Sequence, residues 1–433
     1  MSDKELLASP FPPPGFVVTN SQVDGIDVYK PAPQTEQEPR AIVEFQCPQC
    51  GGKTAYSILD GGLECSYCGF VQAAGSDLVG TRAQESEFTL RTMEQSGRGW
   101  GAIRRELECQ NCGVHVSIPS ETLTHTCAFC GSNKVIQQTA EQQAIRPAFM
   151  IPFKLDRDQC HQIARAYLGD SWMIPPNLRG SAAIEGFNPV YLSYWTFDAD
   201  LQAQWQAEVG HTVSEQYYDH SDRTWKTRMK TEWRWEKGQV QLHSDDLLVP
   251  GTRRLSTLHL DKISNFTLSQ LTPYEPNFLA GFNAQAYEVT LEAAWEEARQ
   301  RMRENARKEC RGQASSSQIR NFSMNLDFSD ELWRYILLPV YIAAYQFAGK
   351  TYQLLVNGQS GEISGQRPVD WKKVWLAMAA LLLPGVVLSI LGLLTLPIAG
   401  IGVILGGAGG LLLLVGLVIS IIIAVQASRM DDA

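Results

Sequence analysis

Basic residues are in short supply in this sequence, and the shortage argues against one class of partner. The 433 residues include 37 Lys and Arg against 46 Asp and Glu, which gives a formal net charge of −9. Residues 41–140, which hold most of the cysteines, contain seven basic and ten acidic residues. A protein that binds phosphate backbones through charge needs a basic surface. We therefore expect no general binding to nucleic acid.

Charge of either sign is missing from a long C-terminal stretch. The 55 residues from Val374 to Ser428 contain no Asp, Glu, Lys, Arg or His. One helical crossing of a bilayer needs about 20 apolar residues. The stretch therefore predicts a transmembrane helical hairpin, with spans near 374–395 and 401–426 and a turn at 397–400. A helical hairpin buried in a soluble core is the alternative, and an uncharged run of this length argues against it.

The N-terminus, Met-Ser-Asp-Lys-Glu, lacks the basic start and apolar core of a signal peptide. Lys372 and Lys373 precede the first predicted span, Arg429 follows the second, and the turn between them has no charge. Positive residues favour the cytoplasmic side of a membrane. We expect a protein of the inner (cytoplasmic) membrane with two spans, whose N- and C-termini both lie in the cytoplasm.

Small residues recur every four positions on the second predicted span, at Gly402, Gly406 and Gly410. Such a ridge lets another helix approach closely. The neighbour is either the first span of the same chain, which we favour, or a second copy in a homo-oligomer.

Eight of the ten cysteines form two clusters with one spacing. The first cluster is Cys47, Cys50, Cys65 and Cys68, and the second is Cys109, Cys112, Cys127 and Cys130. Each cysteine of the second cluster lies 62 positions after its counterpart in the first, so the clusters are copies of one small module. Each copy has two C-x-x-C turns with fourteen residues between them. This separation falls just short of the commonest one in zinc ribbons, but the architecture is the same.

The spacing within each C-x-x-C turn suits a metal ion. Two intervening residues let one turn direct both thiolates at a tetrahedral ion about 2.3 Å from each sulfur. A glycine follows every turn and can take the positive φ that such a turn requires. All four ligands are sulfur, so the sites are closed and structural, and we predict two Zn²⁺ ions per chain. Rubredoxin-like iron sites, which would make the protein an electron carrier, are the alternative.

No set of residues in the sequence indicates catalysis. There is no Ser/His/Asp arrangement and no open metal site, so we expect a protein that is not an enzyme. The two cysteines outside the clusters, Cys160 and Cys310, lie far apart, and nothing near them indicates an activated thiol. We predict that they are buried or idle thiols.

Composition divides the chain into segments of different kinds. We predict a flexible proline-rich N-terminal tail at 1–40 and zinc ribbons at 41–72 and 102–140, joined by a linker at 73–101. A soluble α+β domain at 147–370 and the transmembrane hairpin at 374–428 follow. A short strand is expected near Phe16–Val18 and a short helix around Ala83–Gln95. The predicted fold is multi-domain: two tandem zinc ribbons, an α+β domain with antiparallel strands, and a C-terminal transmembrane helical hairpin.

Periodicity predicts the elements of the α+β domain. Asp156 should cap a helix that runs through Leu168, and a second helix should cover Val289–Arg311. The predicted strands are Tyr191–Val209, Thr224–Trp235, Gln239–His243, Phe322–Phe328, Leu337–Phe347 and Thr351–Val356. Lys237-Gly238 is predicted to be a turn.

Tryptophans and basic residues alternate along Thr224–Trp235. One face carries Trp225, Trp233 and Trp235, and the other carries Arg228, Lys230 and Arg234. We interpret this as a sheet with an apolar and a solvated face. Binding of nucleic acid by base stacking is the alternative.

The combination of these motifs, in this order, resembles a known family. Besides the four C-x-x-C-G turns, the matching stretches are Ile151–Leu155, Tyr194–Asp200, Leu338–Tyr341, Asn357–Gly361 and Pro368–Trp371. On these residues the chain resembles bacterial zinc-ribbon membrane proteins labelled TFIIB-type zinc-ribbon proteins, or primosomal protein N-prime (replication factor Y)-like. The similarity runs from about residue 41 to the membrane segment.

The resemblance implies an adaptor. Such proteins occur with SPFH-domain (flotillin-like) and phage-shock-type membrane proteins, and are thought to recruit a soluble partner to the inner membrane. The resemblance implies the eight clustered cysteines as metal ligands and supplies no catalytic residues. Its helicase label does not fit, because Gly52-Lys53-Thr54 and Gly349-Lys350-Thr351 lack the first glycine of a phosphate loop. We expect a cytoplasm-facing membrane adaptor, with a membrane-tethered nucleic-acid binder as the alternative.

Overall fold

The computed structural model describes residues 16–19, 28–31, 46–73, 85–88, 100, 104–119, 126–139, 145–178, 186–221, 223–347, 349–395 and 401–432. Residues 1–44 form a compact unit of their own. In that unit β1 (Phe16–Thr19) pairs antiparallel with β2 (Val28–Pro31), which confirms the short strand predicted near Phe16. The elements described next belong to a second unit, residues 45–433.

Short strands precede and surround three long ones in the second unit. The strands are β3 (Thr54–Ser57), β4 (Gly62–Cys65), β5 (Val71–Ala73), β6 (Ser86–Glu87), β7 (Arg104–Cys109), β8 (His115–Pro119), β9 (Val135–Thr139), β10 (Phe149–Met150), β11 (Asn188–Asp219), β12 (Thr224–Pro250), β13 (Thr272–Pro273), β14 (Asn283–Gln285), β15 (Ile319–Phe347), β16 (Lys350–Asn357) and β17 (Ile363–Gly365). The helices are α1 (Arg157–Gly169), α2 (Thr257–Lys262), α3 (Leu291–Gly312), α4 (Trp371–Leu394) and α5 (Ile401–Asp432).

The three long strands form the centre of the second unit. β11 has 32 residues, β12 has 27 and β15 has 29, and β11 pairs antiparallel with both of the others. From Pro189 to Ala199 both faces of β11 are buried, whereas from Asp200 to Ala207 exposed and buried side chains alternate. The sheet is mostly antiparallel, as predicted, with short parallel pairings of β10 to β15 and of β14 to β11.

Two predictions within the long strands are wrong. Lys237-Gly238 is not a turn, because β12 runs through it opposite Trp205. Glycine is needed there for close approach, since an added Cβ on Gly238 would lie 2.7 Å from the Trp205 indole nitrogen. The strands predicted at 322–328 and 337–347 are one strand, β15. Its polar middle is accommodated by a bulge in which Asp330 takes a φ of 51°.

The helices of the soluble part follow their sequence signals. Asp156 caps α1, and its side chain and that of Gln159 bond reciprocally to each other's backbone N–H. α3 buries one stripe of side chains against β11 and its neighbours: Ala294, Ala298, Met302, Ala306 and Cys310. Cys160 and Cys310 are both fully buried, as predicted. The helix predicted around 83–95 is wrong where the structure describes that segment, because Ser86–Glu87 forms β6 and pairs with β15.

α4 and α5 form a hairpin of apolar helices. Trp371–Leu394 and Gly402–Ser428 are long and apolar enough to cross a membrane, with 24 and 27 residues, and only 17% of each apolar window is buried. At 1.5 Å per residue they are about 36 and 40 Å long, which exceeds the roughly 30 Å hydrocarbon core of a bilayer. Two candidate membrane spans therefore end the chain. The turn predicted at 397–400 lies outside the described residues.

Glycines set how closely the two apolar helices approach. An added Cβ on Gly392 would collide with the backbone of Gly406 and would lie 3.1 Å from Gly402 O. An added Cβ on Gly385 would lie 2.8 Å from the backbone nitrogen of Leu413. Two members of the predicted glycine ridge thus contact the first helix of the same chain. An added Cβ on the third member, Gly410, would meet nothing within 4 Å.

Both ends of the hairpin are attached to the soluble part of the second unit. The Arg367 N–H donates to Met430 O over 2.9 Å, and the Tyr352 hydroxyl and Trp371 Nε1 both donate to the Asp431 carboxylate, over 3.1 and 3.3 Å. The start of α4 and the end of α5 therefore lie on one side, next to the folded body.

We predict that Gly392→Ala destabilises the helix pair, because the added methyl group overlaps the backbone of Gly406. Overpacking of this kind costs about 1–3 kcal/mol. The measurement is the free energy of unfolding in mixed detergent micelles. Gly410→Ala is the matched control and should be neutral, since its methyl group meets open space. Equal losses in the two variants would contradict the observed packing.

Candidate metal centres

Four turns of one backbone geometry hold the clustered cysteines. In each turn the N–H of the closing glycine donates to the carbonyl of the first cysteine. The four bonds are Gly51 to Cys47 (2.8 Å), Gly69 to Cys65 (2.9 Å), Gly113 to Cys109 (2.7 Å) and Gly131 to Cys127 (2.8 Å). These glycines have φ values from 69° to 72°, in the left-handed region that favours glycine. The C-x-x-C-G sequence therefore specifies the turn locally.

The turns bring four sulfur atoms together at each of two sites. All four sulfurs of a site lie within 4.8 Å of one another. The shortest Sγ–Sγ distances are Cys47–Cys68 and Cys50–Cys65 (both 3.5 Å), and Cys109–Cys130 and Cys112–Cys127 (both 3.6 Å). Four sulfurs 2.3 Å from the centre of a tetrahedron would be about 3.8 Å apart. Each predicted cluster can therefore hold one metal ion with four sulfur ligands.

Backbone N–H groups at the first site favour thiolate over thiol. The N–H of Gly52 points at Cys50 Sγ over 3.4 Å. Hydrogen bonds from the backbone N–H groups of Cys68 and Tyr67 lower the pKa of Cys65 to about 7. Hydrogen bonds to a charged group stabilise that charge. At the same site, against a hydrogen bond from the Phe70 N–H, partial burial and the neighbouring cysteine side chains raise the pKa of Cys68 to about 12. The surroundings therefore favour the thiolate form at Cys65 but not at every sulfur of the site.

The two sites differ in their access to solvent. At the first site Cys50 and Cys68 are exposed, whereas at the second Cys112 and Cys130 are half-buried. The remaining cysteine of every turn is buried at both sites. Leu59 and Tyr67, in the first module, are 85% and 76% exposed. The first metal centre is thus open to solvent and the second is covered by protein.

The first ribbon is a small sheet that rests on the body. Its strands β3, β4 and β5 pair only with one another among the described residues. Tyr56 and Leu63 are buried in the core of the soluble part, and the Tyr56 ring lies 5.2 Å from that of Phe278. The Tyr56 N–H also donates to Ala280 O over 3.1 Å. The first ribbon is therefore held through one face by the 276–282 segment.

The second ribbon is part of the central sheet. β8 pairs with β14 through Ser117 and Ala284, which places β7, β8 and β9 in the same sheet as β11 and β15. Ile118 and Phe129 are each 1% exposed and belong to the core cluster that also contains Ile336. Residues 276–285 thus contact both ribbons. The pairing of β8 with β14 could not be predicted from the sequence, because the two strands are more than 160 residues apart.

A group of charged side chains lies outside the cysteine sites and was missed by the sequence analysis. Asp198 and Arg334 are each 3% exposed, and the Arg334 guanidinium pairs with Asp246 and, at 3.2 Å, with Glu85. Burial raises the pKa of Asp198 to about 7. Carboxylate oxygens of Asp198, Asp245 and Asp246 lie within 4.8 Å of one another. Because Arg334 already supplies the cation, we interpret the group as a structural network that holds residues 85–88 on β15.

The face that carries the tryptophans is exposed. β15 begins at Ile319, opposite Val209, and beyond that point β11 and β12 form a two-stranded ribbon. We call this ribbon, residues 208–221 and 223–235, the arm. Trp225 is 71% exposed, Trp233 36% and Trp235 61%. They share one face of a sheet strand, as predicted, and that apolar face is exposed. Arg320 of β15 lies over the Trp233 ring, with its guanidinium carbon 4.1 Å from the ring centroid, whereas Trp225 and Trp235 are largely exposed.

The two tripeptides that mimic the end of a phosphate loop also lack its structural context. Gly52-Lys53-Thr54 leads into β3, and Gly349-Lys350-Thr351 leads into β16. A phosphate loop must open a helix so that its backbone N–H groups cradle the anion. Both tripeptides are therefore ordinary strand and turn residues.

Comparisons with known proteins find a similar protein but assign no function to this chain. No family model matches the chain, and no solved structure matches it. The chain is similar to "Uncharacterized protein YdjG" of Bacillus subtilis (strain 168), with 23% identity over 341 residues. The match covers 77% of this chain and 92% of that protein. A match of this length includes far more than the two cysteine modules.

We predict that the two metal ions leave at different rates. A chelator should remove the ion of the exposed first site in a fast phase and that of the covered second site in a slow phase. Release is measured by absorbance with a colorimetric zinc chelator. Cys50→Ser should abolish the fast phase alone, and the matched Cys112→Ser the slow phase. Release in a single phase would contradict the difference in burial.

The same pair of variants tests how each ribbon contributes to stability. A structural zinc site supplies about 10–16 kcal/mol of binding energy in peptide models. Cys112→Ser should lower the melting temperature of the whole second unit, because its site lies in the central core. Cys50→Ser should lower it much less. Equal losses of melting temperature in the two variants would contradict the finding that only the second ribbon is part of the central sheet.

We predict that stability falls as the pH rises towards neutrality because of Asp198. Burial raises its folded pKa from 3.8 to about 7, so the fold favours the protonated form. This contribution is complete below about pH 4 and is lost as the pH rises through 7. Asp198→Asn removes the titration and should flatten the melting temperature between pH 5 and 8. Asp327→Asn, an exposed control on β15, should keep the wild-type slope, and an unchanged slope in Asp198→Asn would refute the prediction.

Proposed function

We propose that this protein is a non-enzymatic membrane adaptor that presents a protein-docking surface at the cytoplasmic face of the inner membrane. The observation that carries the proposal is the arm, an exposed aromatic surface on a rigid sheet that continues into a body attached directly to two apolar helices. An adaptor needs these parts and no reactive centre.

The anchor is supported by the apolar hairpin and its attachments. α4 and α5 have the length and composition of membrane spans, and both of their outer ends bond to the soluble body. Lys372 and Lys373 lie at the start of α4 and Arg429 near the end of α5. Positive residues at that end favour a cytoplasmic body. Clustered free thiols also suit the reducing cytoplasm.

Zinc is the ion that we assign to both cysteine centres. Four thiolates in a closed tetrahedral arrangement are the usual ligands of structural zinc. When bound, such an ion supplies folding energy and performs no reaction. Iron can occupy the same four sulfurs, but no feature of the described residues favours electron transfer over a structural role.

The arm supplies the docking surface. Large exposed apolar patches on a protein surface mark interaction sites. Trp225, Trp233 and Trp235 line one face of the arm together with Met229, which is 68% exposed. Tryptophan is enriched among the residues that contribute most binding energy at protein interfaces. The exposed Leu59 and Tyr67 of the first ribbon form a smaller apolar surface.

The arm is also placed at a distance from the anchor. Near Val190, β11 pairs with β15, and β15 pairs with β16. Tyr352 of β16 contacts the end of α5. From Val190 to Asp219 is 29 residues, which spans at most about 95 Å at 3.3 Å per residue. The tip of the arm can therefore reach a partner well away from the bilayer surface.

The class of partner comes from the family resemblance. We propose an SPFH-domain or phage-shock-type protein, since zinc-ribbon membrane proteins of this kind occur with them. Self-association through the Gly402, Gly406 and Gly410 ridge stays a prediction.

Nucleic acid is a weaker proposal because the cations of the arm are already paired. Lys226 bonds to Asp219 over 2.6 Å, and Arg228 to Glu215 over 2.8 Å. Arg234 lies 2.6 Å from Glu232. Phosphate binding depends on cations that are free to replace counterions. The charged face of the arm is thus neutralised in large part by its own carboxylates.

Affinity purification from native membranes in mild detergent tests the proposal. Replacing Trp225, Trp233 and Trp235 by Ser should reduce recovery of an SPFH-domain or phage-shock-type partner at least tenfold, because each such tryptophan contributes about 2 kcal/mol or more at an interface. Replacing Arg228, Lys230 and Arg234 by Gln alters the opposite face of the same strand and should leave recovery unchanged.

Two outcomes would contradict the docking role of the arm. Equal recovery with the tryptophan variant and the wild type would exclude the arm as the docking surface. Loss of the partner only in Leu59→Ser/Tyr67→Ser would assign docking to the first ribbon instead. Recovery of no partner of these classes with any version would overturn the proposed partner.

A further inference from the structure

A groove at the base of the anchor is formed jointly by the soluble body and the first apolar helix. Its volume is about 440 Å³, and it is lined by Trp172, Ile174, Pro176, Lys373, Leu376 and Ala377. A volume of this size is within the range of small-ligand sites. Its lining is apolar except at one end, where Lys373 lies.

The groove has fixed walls. The Asp370 N–H donates to Met173 O over 2.8 Å, and Lys373 Nζ donates to Ile174 O over 3.3 Å. Met173 and Val374 are buried in one cluster with Met378 of α4 and Ala427 of α5. The 171–178 segment is thus bonded to the first turn of α4 and packed on both helices. This rigidity distinguishes the groove from a gap between loosely associated parts.

The groove crosses the boundary between polar and apolar surroundings. Lys373 is the last charged residue before the uncharged run, and Leu376 and Ala377 lie three and four residues further along α4. At 1.5 Å per residue they are about 5–6 Å deeper along the helix axis. The basic end therefore lies at the level of lipid head groups and the apolar end at the level of the acyl chains.

Two exposed tryptophans near the groove also indicate that it lies at the boundary between polar and apolar surroundings. Trp172 is 48% exposed and Trp375 is 65% exposed. Tryptophan is enriched at the membrane–water interface, where its ring lies between head groups and hydrocarbon. Lys372, the residue before Lys373 on α4, is exposed at the margin of the sequence's uncharged run and is not part of the groove lining. Lys373, in contrast, is partly neutralised by Asp370 at 3.7 Å.

We propose that this groove binds one anionic phospholipid. The phosphate lies beside Lys373, with the exposed Lys372 adding positive charge from the preceding position of α4, and an acyl chain follows the apolar floor past Trp172 to Leu376. A soluble anion would leave that floor exposed to water, so a lipid fits both ends of the groove. Basic pockets beside transmembrane helices bind anionic head groups in this way. The proposal rests on the membrane anchor of the proposed function but not on its partner.

Native mass spectrometry of the purified full chain tests this site. The protein is mixed in detergent with phosphatidylglycerol or with phosphatidylcholine of the same acyl chains, and retained lipids are counted. We expect one tightly retained phosphatidylglycerol, preferred at least fivefold over phosphatidylcholine. Lys372→Gln should reduce the preference about fivefold, as expected for one basic residue near a lipid surface. Trp172→Ala should weaken retention of both lipids.

Matched controls lie on the arm. Lys230→Gln and Trp225→Ala remove the same side chains from an exposed strand and should leave lipid retention unchanged. Soluble glycerol phosphate should not displace the lipid, because it lacks the acyl chain. Equal retention of the two lipids by the wild type, or retention unchanged in both Lys372→Gln and Trp172→Ala, would overturn the proposal.

Flotation with liposomes separates this proposal from the anchor itself. A chain that floats with liposomes but shows no preference for phosphatidylglycerol would contradict the lipid site alone. A chain that does not float would contradict the membrane anchor and, with it, the lipid site. Neither result depends on the docking partner, which is absent from both measurements.

Discussion

Four thiolates in one small space repel one another unless a cation lies between them, and this constraint underlies the soluble part of the molecule. Each C-x-x-C-G turn can form on its own, but two turns can face each other at sulfur separations of 3.5–3.6 Å only around an ion or as neutral thiols. At the second site, Phe129 and Ile118 behind the sulfurs belong to the same core as the central strands. The ion there would stabilise the body as well as the ribbon.

The body links three surfaces that would otherwise move independently. Residues 276–285 contact both ribbons, β11 continues from the core into the arm, and the 171–178 segment bonds to α4. No flexible linker separates these parts within the described residues. This arrangement suits the proposed adaptor, because it holds the proposed docking face at a fixed orientation to the apolar hairpin.

Local signals in the sequence predicted the parts whose causes are local. Ligand spacing gave the cysteine sites, the Asp156 cap gave α1, and the uncharged run gave the two apolar helices. Period-two alternation showed which residues share a strand face. It could not show whether that face is covered, so the exposure of the tryptophans of the arm could not be predicted.

Errors elsewhere have long-range causes. Gly238 was predicted to lie in a turn, but it lies in β12 opposite Trp205, which is 33 positions earlier in the sequence. Ser86 forms a strand because it pairs with Trp333, which is also far away in the sequence. The merging of the second ribbon with the central sheet has the same origin. The Asp198–Arg334 network had one local signal, an acidic residue within the aromatic stretch Tyr194–Asp200, but its cation lies on another strand.

X-ray absorption spectroscopy of protein isolated from its native membrane tests the central claim most directly. The account predicts two zinc ions per chain, each with four sulfur neighbours at about 2.3 Å. Fewer than two tightly held ions, or nitrogen or oxygen in the first coordination shell, would contradict it.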